Sequence, residues 1–253
     1  MRQDERAPFV AALQTAREAA YPPGEYVGQE SFMTAGEIQR LAERAGIRRG
    51  AAVLDLCCGT GGPGRLIAGE TGCSYLGVDY SASAVHIAGE LARDLPCRFE
   101  VAHLPPLPDG PFEVVLLLET MLAFADKRAL LRGVARVLEP GGRFAFTVEE
   151  GRPLTRRERR RMPDADTVSV MPWARLSNTL LESGLTVIWQ QDCTAAHAAT
   201  AAALLQCFRA DEAGIARQLG TRATAELIAA HQLWTQWLGC GRVRKFAVVA
   251  EKR

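Results

Sequence analysis

The chain runs Ala52-Val53-Leu54-Asp55-Leu56-Cys57-Cys58-Gly59-Thr60-Gly61-Gly62-Pro63-Gly64-Arg65, and then Tyr75-Leu76-Gly77-Val78-Asp79-Tyr80-Ser81. An apolar strand passes straight into a glycine-rich turn, and a second apolar strand ends in an acid. Glycines let backbone approach a ligand closely, and a carboxylate at a strand end can accept both hydroxyls of a ribose. Pro63 suits the first turn of a helix, where its missing N–H is no loss. A nucleoside site between a strand, a turn and a helix is therefore expected here.

Gly59 to Gly64 satisfies the literal G-x-G-x-x-G pattern of dinucleotide sites, a weak signal when taken alone. Asp55 discriminates. A strand leading to a pyrophosphate is normally apolar at that point, because a carboxylate beside a diphosphate opposes binding. A ligand carrying an ammonium and a sulfonium gains from the same carboxylate. Asp55, Gly59, Gly61 and Asp79 thus resemble motif I and the following acidic strand end of class I S-adenosylmethionine (SAM) dependent methyltransferases. The alternative is a doubly wound protein that uses another nucleotide.

Alternation of strand and helix signals from Ala51 onward predicts an α/β fold: a doubly wound, seven-stranded, mostly parallel sheet. Strands are expected at 52–56, 74–79, 97–101, 112–118, 143–148 and 185–190, with a last one at Val243–Ala250. Helices are expected at 62–70, 81–93, 126–138 and 173–183. Residues 1–50 read as an N-terminal helical segment, with helices at Pro8–Ala20 and Thr34–Ala45. Tyr21-Pro22-Pro23-Gly24 breaks it, and Thr34 with Glu37 forms a capping box. Residues 51–253 form the core, with insertions near 151–172 and 194–239. The second insertion is helical, falls just before the last strand, and is read as a lid over a substrate.

The resemblance extends over residues 51–150. Leu138-Glu139-Pro140-Gly141-Gly142-Arg143 looks like the turn before strand five of these enzymes. Tyr26-Val27-Gly28-Gln29-Glu30-Ser31-Phe32-Met33-Thr34-Ala35-Gly36 is similar to the segment that closes over SAM in small-molecule methyltransferases, such as those acting on phosphoethanolamine, sarcosine and prenyl diphosphates. The resemblance implies SAM as cofactor, held by Tyr26, Thr34, Asp55, Cys57, Gly59, Gly61, Asp79, Tyr80 and Glu119, with Gln29 and Phe32 as weaker contacts. Relatives often carry an acid after strand three to hold the adenine amino group. Here Phe99-Glu100-Val101-Ala102-His103-Leu104 has none, so the backbone of Ala102 or the side chain of His103 takes that place. The histidine that many relatives carry after strand four is also missing from Glu119-Thr120-Met121-Leu122-Ala123-Phe124.

The implied activity is methyl transfer to an N, O or C nucleophile of a small molecule by in-line displacement. Glu119, at the end of the central strand, is the carboxylate placed to take a proton from the acceptor, to hold an amine cation, or simply to contact SAM. Tyr21 and Tyr26 are alternative proton acceptors or cation-π partners. His197 and His231 read as partly exposed residues of the late insertion. No metal or covalent nucleophile is expected. The alternatives are a SAM-using enzyme that transfers no methyl group (a cyclase or lyase working on the aminobutyrate arm) and a nucleic-acid methyltransferase.

Composition narrows these choices. Across 253 residues the formal net charge is +1, so no global field draws in nucleic acid or an anionic membrane. Arg152, Arg156, Arg157, Arg159, Arg160 and Arg161 make the sharpest local charge feature. Glu158, Asp164 and Asp166 offset it and no aromatic residues interleave, so it reads as a solvated face. Seven cysteines without a C-x-x-C pair argue against a disulfide framework or structural zinc. With no membrane-length apolar run and a charged start, a cytoplasmic protein is expected, its oligomeric state left open.

Overall fold

The computed structural model describes residues 11–253; the start of the Pro8–Ala20 helix lies outside them. The elements are α1 (Ala11–Ala20), α2 (Ala35–Arg44), β1 (Ala52–Leu56), α3 (Gly62–Thr71), β2 (Ser74–Asp79), α4 (Ala82–Leu91), β3 (Cys97–Val101), β4 (Phe112–Leu117) and α5 (Lys127–Val137). There follow β5 (Leu138–Glu150), α6 (Arg156–Arg161), α7 (Trp173–Glu182), β6 (Leu185–Asp192), α8 (Thr194–Ala210), α9 (Glu212–Leu219), α10 (Thr221–Gly239) and β7 (Arg244–Lys252).

The sheet has seven strands in the order β3-β2-β1-β4-β5-β7-β6; β7 alone runs antiparallel to its neighbours. Alternate residues of each strand face opposite layers, as the two-residue period of a strand demands. Leu54, Leu76, Val115, Leu117, Phe144 and Phe146 pack under α5 and α7. Val53, Tyr75, Val114, Leu116 and Ala145 pack under α2 and α3. Both faces are covered, so the central strands read as continuous apolar runs. Each fully buried Val, Leu or Phe among them contributes roughly 1.5–3 kcal/mol of burial free energy.

Strand order reverses between β1 and β4, and in an open α/β sheet that point leaves a crevice beyond the carboxyl ends of the strands. The two residues placed there by the chain, Cys57 and Glu119, both have left-handed backbones, with φ of 62° and 61°. A bulky residue in that conformation is strained, and such strain gathers at functional sites.

The Thr34–Glu37 capping box forms as expected: the Thr34 hydroxyl accepts from the Glu37 N–H, and the Glu37 carboxylate accepts from the Thr34 N–H at 2.9 Å. Strand β5 is longer than the expected 143–148, because Leu138 already pairs with Phe112 before a register shift. The late insertion folds as α8, α9 and α10 against α1 and holds a core of its own, with Leu13, Leu204, Phe208 and Ile215 buried together. Among the described residues no helix is long and apolar enough to cross a membrane.

Candidate functional site

A cavity of about 830 Å³ opens at the switch point. Its floor is the β1 turn, where Asp55, Cys57, Cys58, Gly59 and Thr60 line it. One wall comes from the ends of β2 and β3 (Asp79, Tyr80, Ser81, Ala102, His103, Leu104), and the opposite wall from Leu118, Glu119, Thr120, Ala123 and Phe124 beyond β4. The loop between α1 and α2 covers it with Gly28 to Ser31 and Met33.

Asp79 ties the turn to β2. One carboxylate oxygen accepts from the Gly59 N–H at 3.0 Å, and the other from the Ser81 N–H at 2.9 Å. Each oxygen keeps a second lone pair for the cavity. The left-handed Gly59 (φ 54°) aims its N–H at Asp79.

Asp55 is 3% exposed and accepts a hydrogen bond from the Tyr75 hydroxyl. Burial, against the smaller opposing pull of that hydroxyl, pushes its carboxyl up to about 7; the charge of Asp79 adds to the rise. The folded protein therefore holds more protons here than the unfolded chain does. Stability contributed by this group is complete below the ordinary carboxylate range and declines as pH climbs to about 7. Asp55→Asn is expected to raise Tm by at least about 3 °C at pH 8, with the gain vanishing near pH 4. Calorimetric melts at both pH values test this; a gain of equal size at both would show that no titration of Asp55 lies behind it.

Glu119 is fixed from several sides. Its N–H donates to the Thr147 hydroxyl at 2.6 Å, Oε2 accepts from the Phe32 N–H at 3.2 Å, and the Lys245 ammonium lies at 2.6 Å. Lys245 is 1% exposed and also holds Glu149, its direct cross-strand partner, at 2.5 Å. Burial opposes the charge of Glu119, but Lys245 overrides it and holds the carboxyl well below its usual range. Burial, together with the charge of Glu119, pushes Glu149 up instead. His197 is fully buried beside this group, 3.4 Å from Glu37 and 4.0 Å from Glu119.

Of the residues expected to serve the site, Asp55, Cys57, Gly59, Asp79, Tyr80, Ala102, His103 and Glu119 line this one cavity. The others lie elsewhere. Thr34 spends its hydroxyl capping α2. Tyr26 packs among α1 and the cap helices, its hydroxyl on Gln14. Tyr21 is 7% exposed and donates to the Ser31 carbonyl; burial, with the charge of Glu119, raises its phenol further. Gly61 (φ 73°) faces the Phe99 ring and Ala88, so its role is helix–sheet packing. Gln29 lines the cavity, but its amide bonds Val27, Glu25 and Met33 and so folds the covering loop. The Ala102 N–H is taken by the Asp79 carbonyl, which leaves its own carbonyl and His103 free to face a ligand.

No residue of α8, α9 or α10 lines this cavity, and His197 is buried where partial exposure was expected. On α6, Arg159 pairs with Asp166 and Glu158 with Arg242, while the remaining arginines of the helix are exposed. Lys245 and Glu149 carry the electrostatics of the site without any motif. Their one signal is a charge inside an apolar strand, Val243-Arg244-Lys245-Phe246-Ala247-Val248.

Glu37, Cys193 and His197 bring three potential metal-ligand atoms within 4.8 Å of one another. Glu37 is already engaged in its cap, and burial pushes the Cys193 thiol up to about 11, away from the thiolate a metal needs. Cys57 is likewise held as a thiol, pushed by burial up to about 12. All seven cysteines are free.

Among the described residues, the cavity is lined by the carboxylates Glu30, Asp55, Asp79 and Glu119 and by no Lys or Arg. Such a lining opposes a diphosphate and suits a nucleoside bearing a sulfonium and an ammonium. The fold, the switch-point cavity and the glycine turn with Asp79 beside it are the arrangement that the sequence resemblance implied. Residues 54–146 match the family described as Methyltransferase domain. It is 35% identical over 114 residues to Methyltransferase GfsG of Streptomyces halstedii, a match covering 43% of this chain and 41% of that protein. The chain spans less than half the length of the curated relatives it matches. The phosphoethanolamine N-methyltransferase 2 of Haemonchus contortus, solved with S-adenosylhomocysteine, superposes with a TM-score of 0.78 at 18% identity, covering 94% of this chain and 56% of that one. The [4+2]-cyclase SpnF gives 0.77 at 21% identity, covering 98% and 95%. At these identities the two structures show a shared fold.

Proposed function

We propose that this chain is a SAM-dependent methyltransferase acting on a small molecule. One observation carries the reading: a switch-point cavity with a ribose-facing acid and a lining that holds carboxylates and no Lys or Arg. When bound, SAM supplies a methyl carbon already activated by its sulfonium. The protein's task is then to hold cofactor and acceptor in line, which is worth roughly 7–11 kcal/mol of barrier.

In this reading Asp79 takes the ribose hydroxyls, Tyr80 covers the adenine face, and the Ala102 carbonyl and His103 meet its edge. Asp55 faces the cationic end. Glu119 anchors the covering loop through the Phe32 N–H and, kept ionised by Lys245, is a weak base. Residues 1–50 act as the closing segment in front of a core of residues 51–253. The unpaired cysteines support a reducing, cytoplasmic location.

Incubation with SAM and candidate metabolites, followed by mass spectrometry, tests this. A methylated product with S-adenosylhomocysteine is expected. Methylthioadenosine would favour the aminobutyrate-arm alternative, and conversion of an acceptor without consumption of SAM would favour a cyclase. The likeness to SpnF keeps that second reading in play, because the same fold there bears the name of a cyclase.

A further inference from the structure

We propose that phosphorylated and other anionic acceptors are excluded from this site, so that the acceptor carries no negative charge. This rests on the methyltransferase reading and deepens it. Recognition of a phosphate or diphosphate needs a cation or a cluster of free N–H donors at the acceptor end. Among the described residues, the buried and half-buried cations around the cavity are each already engaged.

Arg17, its side chain only 10% exposed, holds Glu30 at 2.7 Å. Lys245 is shared between Glu119 and Glu149. Lys127 donates to the carbonyls of Phe124 and Ser169 at 2.9 and 2.7 Å, and Arg65 to those of Thr60 and Val27 at 2.7 and 3.4 Å. None of the four lines the cavity. An anionic acceptor would meet Glu119 and Glu30 with no Lys or Arg among the described lining residues to pair with, and its desolvation would go uncompensated.

Glu30, in the covering loop, and Glu119 each pair with a cation, while Glu119 Oε1 keeps no hydrogen-bond partner. Beside the covering loop and the end of β4 the lining mixes apolar Met33, Leu118, Ala123 and Phe124 with polar Gln29, Ser31 and Thr120. The volume fits this division, since a single-ligand cleft takes roughly 300–1,000 Å³ and about 830 Å³ must serve both cofactor and acceptor.

In the transfer, the acceptor's nucleophilic atom bonds to the methyl carbon as the sulfur–carbon bond breaks, its electron pair passing to sulfur. The acceptor's displaced proton leaves to water.

Matched pairs of ligands test the proposal. Protein saturated with S-adenosylhomocysteine is titrated in a calorimeter with alcohols and phenols and with the phosphate or diphosphate ester of each, geraniol against geranyl diphosphate among them. In every pair that binds, the uncharged member is expected to bind at least about tenfold more tightly. Tighter binding of an ester, or silence from every pair, overturns the proposal. Ala123→Lys places a cation on an exposed stretch of the cavity wall and is expected to move the ratio toward the ester; an unmoved ratio would show that this wall does not meet the acceptor. Failure of S-adenosylhomocysteine and SAM themselves to bind would instead overturn the methyltransferase reading.

Discussion

Lys245→Met is expected to lower stability by about 3–5 kcal/mol, the cost of leaving buried carboxylates without their counter-ion. Lys245 is 1% exposed and sits between Glu119 and Glu149, both nearly as buried. Methionine fills most of the lysine's volume, so the loss is electrostatic and not a cavity effect. It should also depend on pH. Once freed from the ammonium, the two carboxyls have folded-state values above their unfolded ones, so the variant's deficit should grow as pH rises from about 4 toward neutrality.

Urea unfolding at pH 5 and pH 8 measures both statements. A companion variant, Lys245→Met with Glu119→Gln and Glu149→Gln, separates causes because it removes the charges along with their partner. Recovery of most of the lost stability is expected. A companion variant as unstable as the single one would show that packing of the lysine stem, and not charge pairing, holds β7 to this region.

Asp79→Ala is expected to weaken SAM binding by about 100-fold, or ~2.7 kcal/mol, the value of a charged acceptor shared by two donors. The effect has two sources. The carboxylate faces the cavity where a ribose would lie, and it also ties the Gly59 and Ser81 N–H groups to the end of β2. Asp79→Asn keeps one acceptor oxygen and should fall between wild type and alanine. Titration calorimetry with SAM decides this, and an unchanged dissociation constant in the alanine variant would move the nucleoside elsewhere. Circular dichroism separates a loosened turn from a lost contact, since the first also lowers Tm.

The core of this protein was legible in its sequence for a simple reason. β1 and β2 are apolar runs that end in the glycine turn or in Asp79, and β3 alternates Cys97, Phe99 and Val101 with charged residues after Pro96. The N-terminal boundary of α2 was equally readable, because Thr34 and Glu37 satisfy each other's backbone within a single turn. The nucleoside half of the cavity followed from the same local rules, since Asp55, Gly59 and Asp79 are placed by strands whose register their own periodicity dictates.

Side chains that act across the fold were different. Tyr21, Tyr26 and Thr34 lie in the right segment, but their hydroxyls are spent on Ser31, Gln14 and the α2 cap. His197 read as a partly exposed helix residue, and it is buried where α8 meets Glu37, Phe32 and Glu119.

By itself, then, the chain determined the order of strands and helices, the glycine turn and the acid that faces the cavity, because each depends on residues a few positions apart. Tertiary structure alone decided the charge state of the site. Lys245 and Glu119 are 126 positions apart in the chain and meet at 2.6 Å only because β7 returns antiparallel beside β5. Pairing at such separations leaves no local pattern, since what selects it is the cost of burying a lone charge, which exists only once the strands have come together.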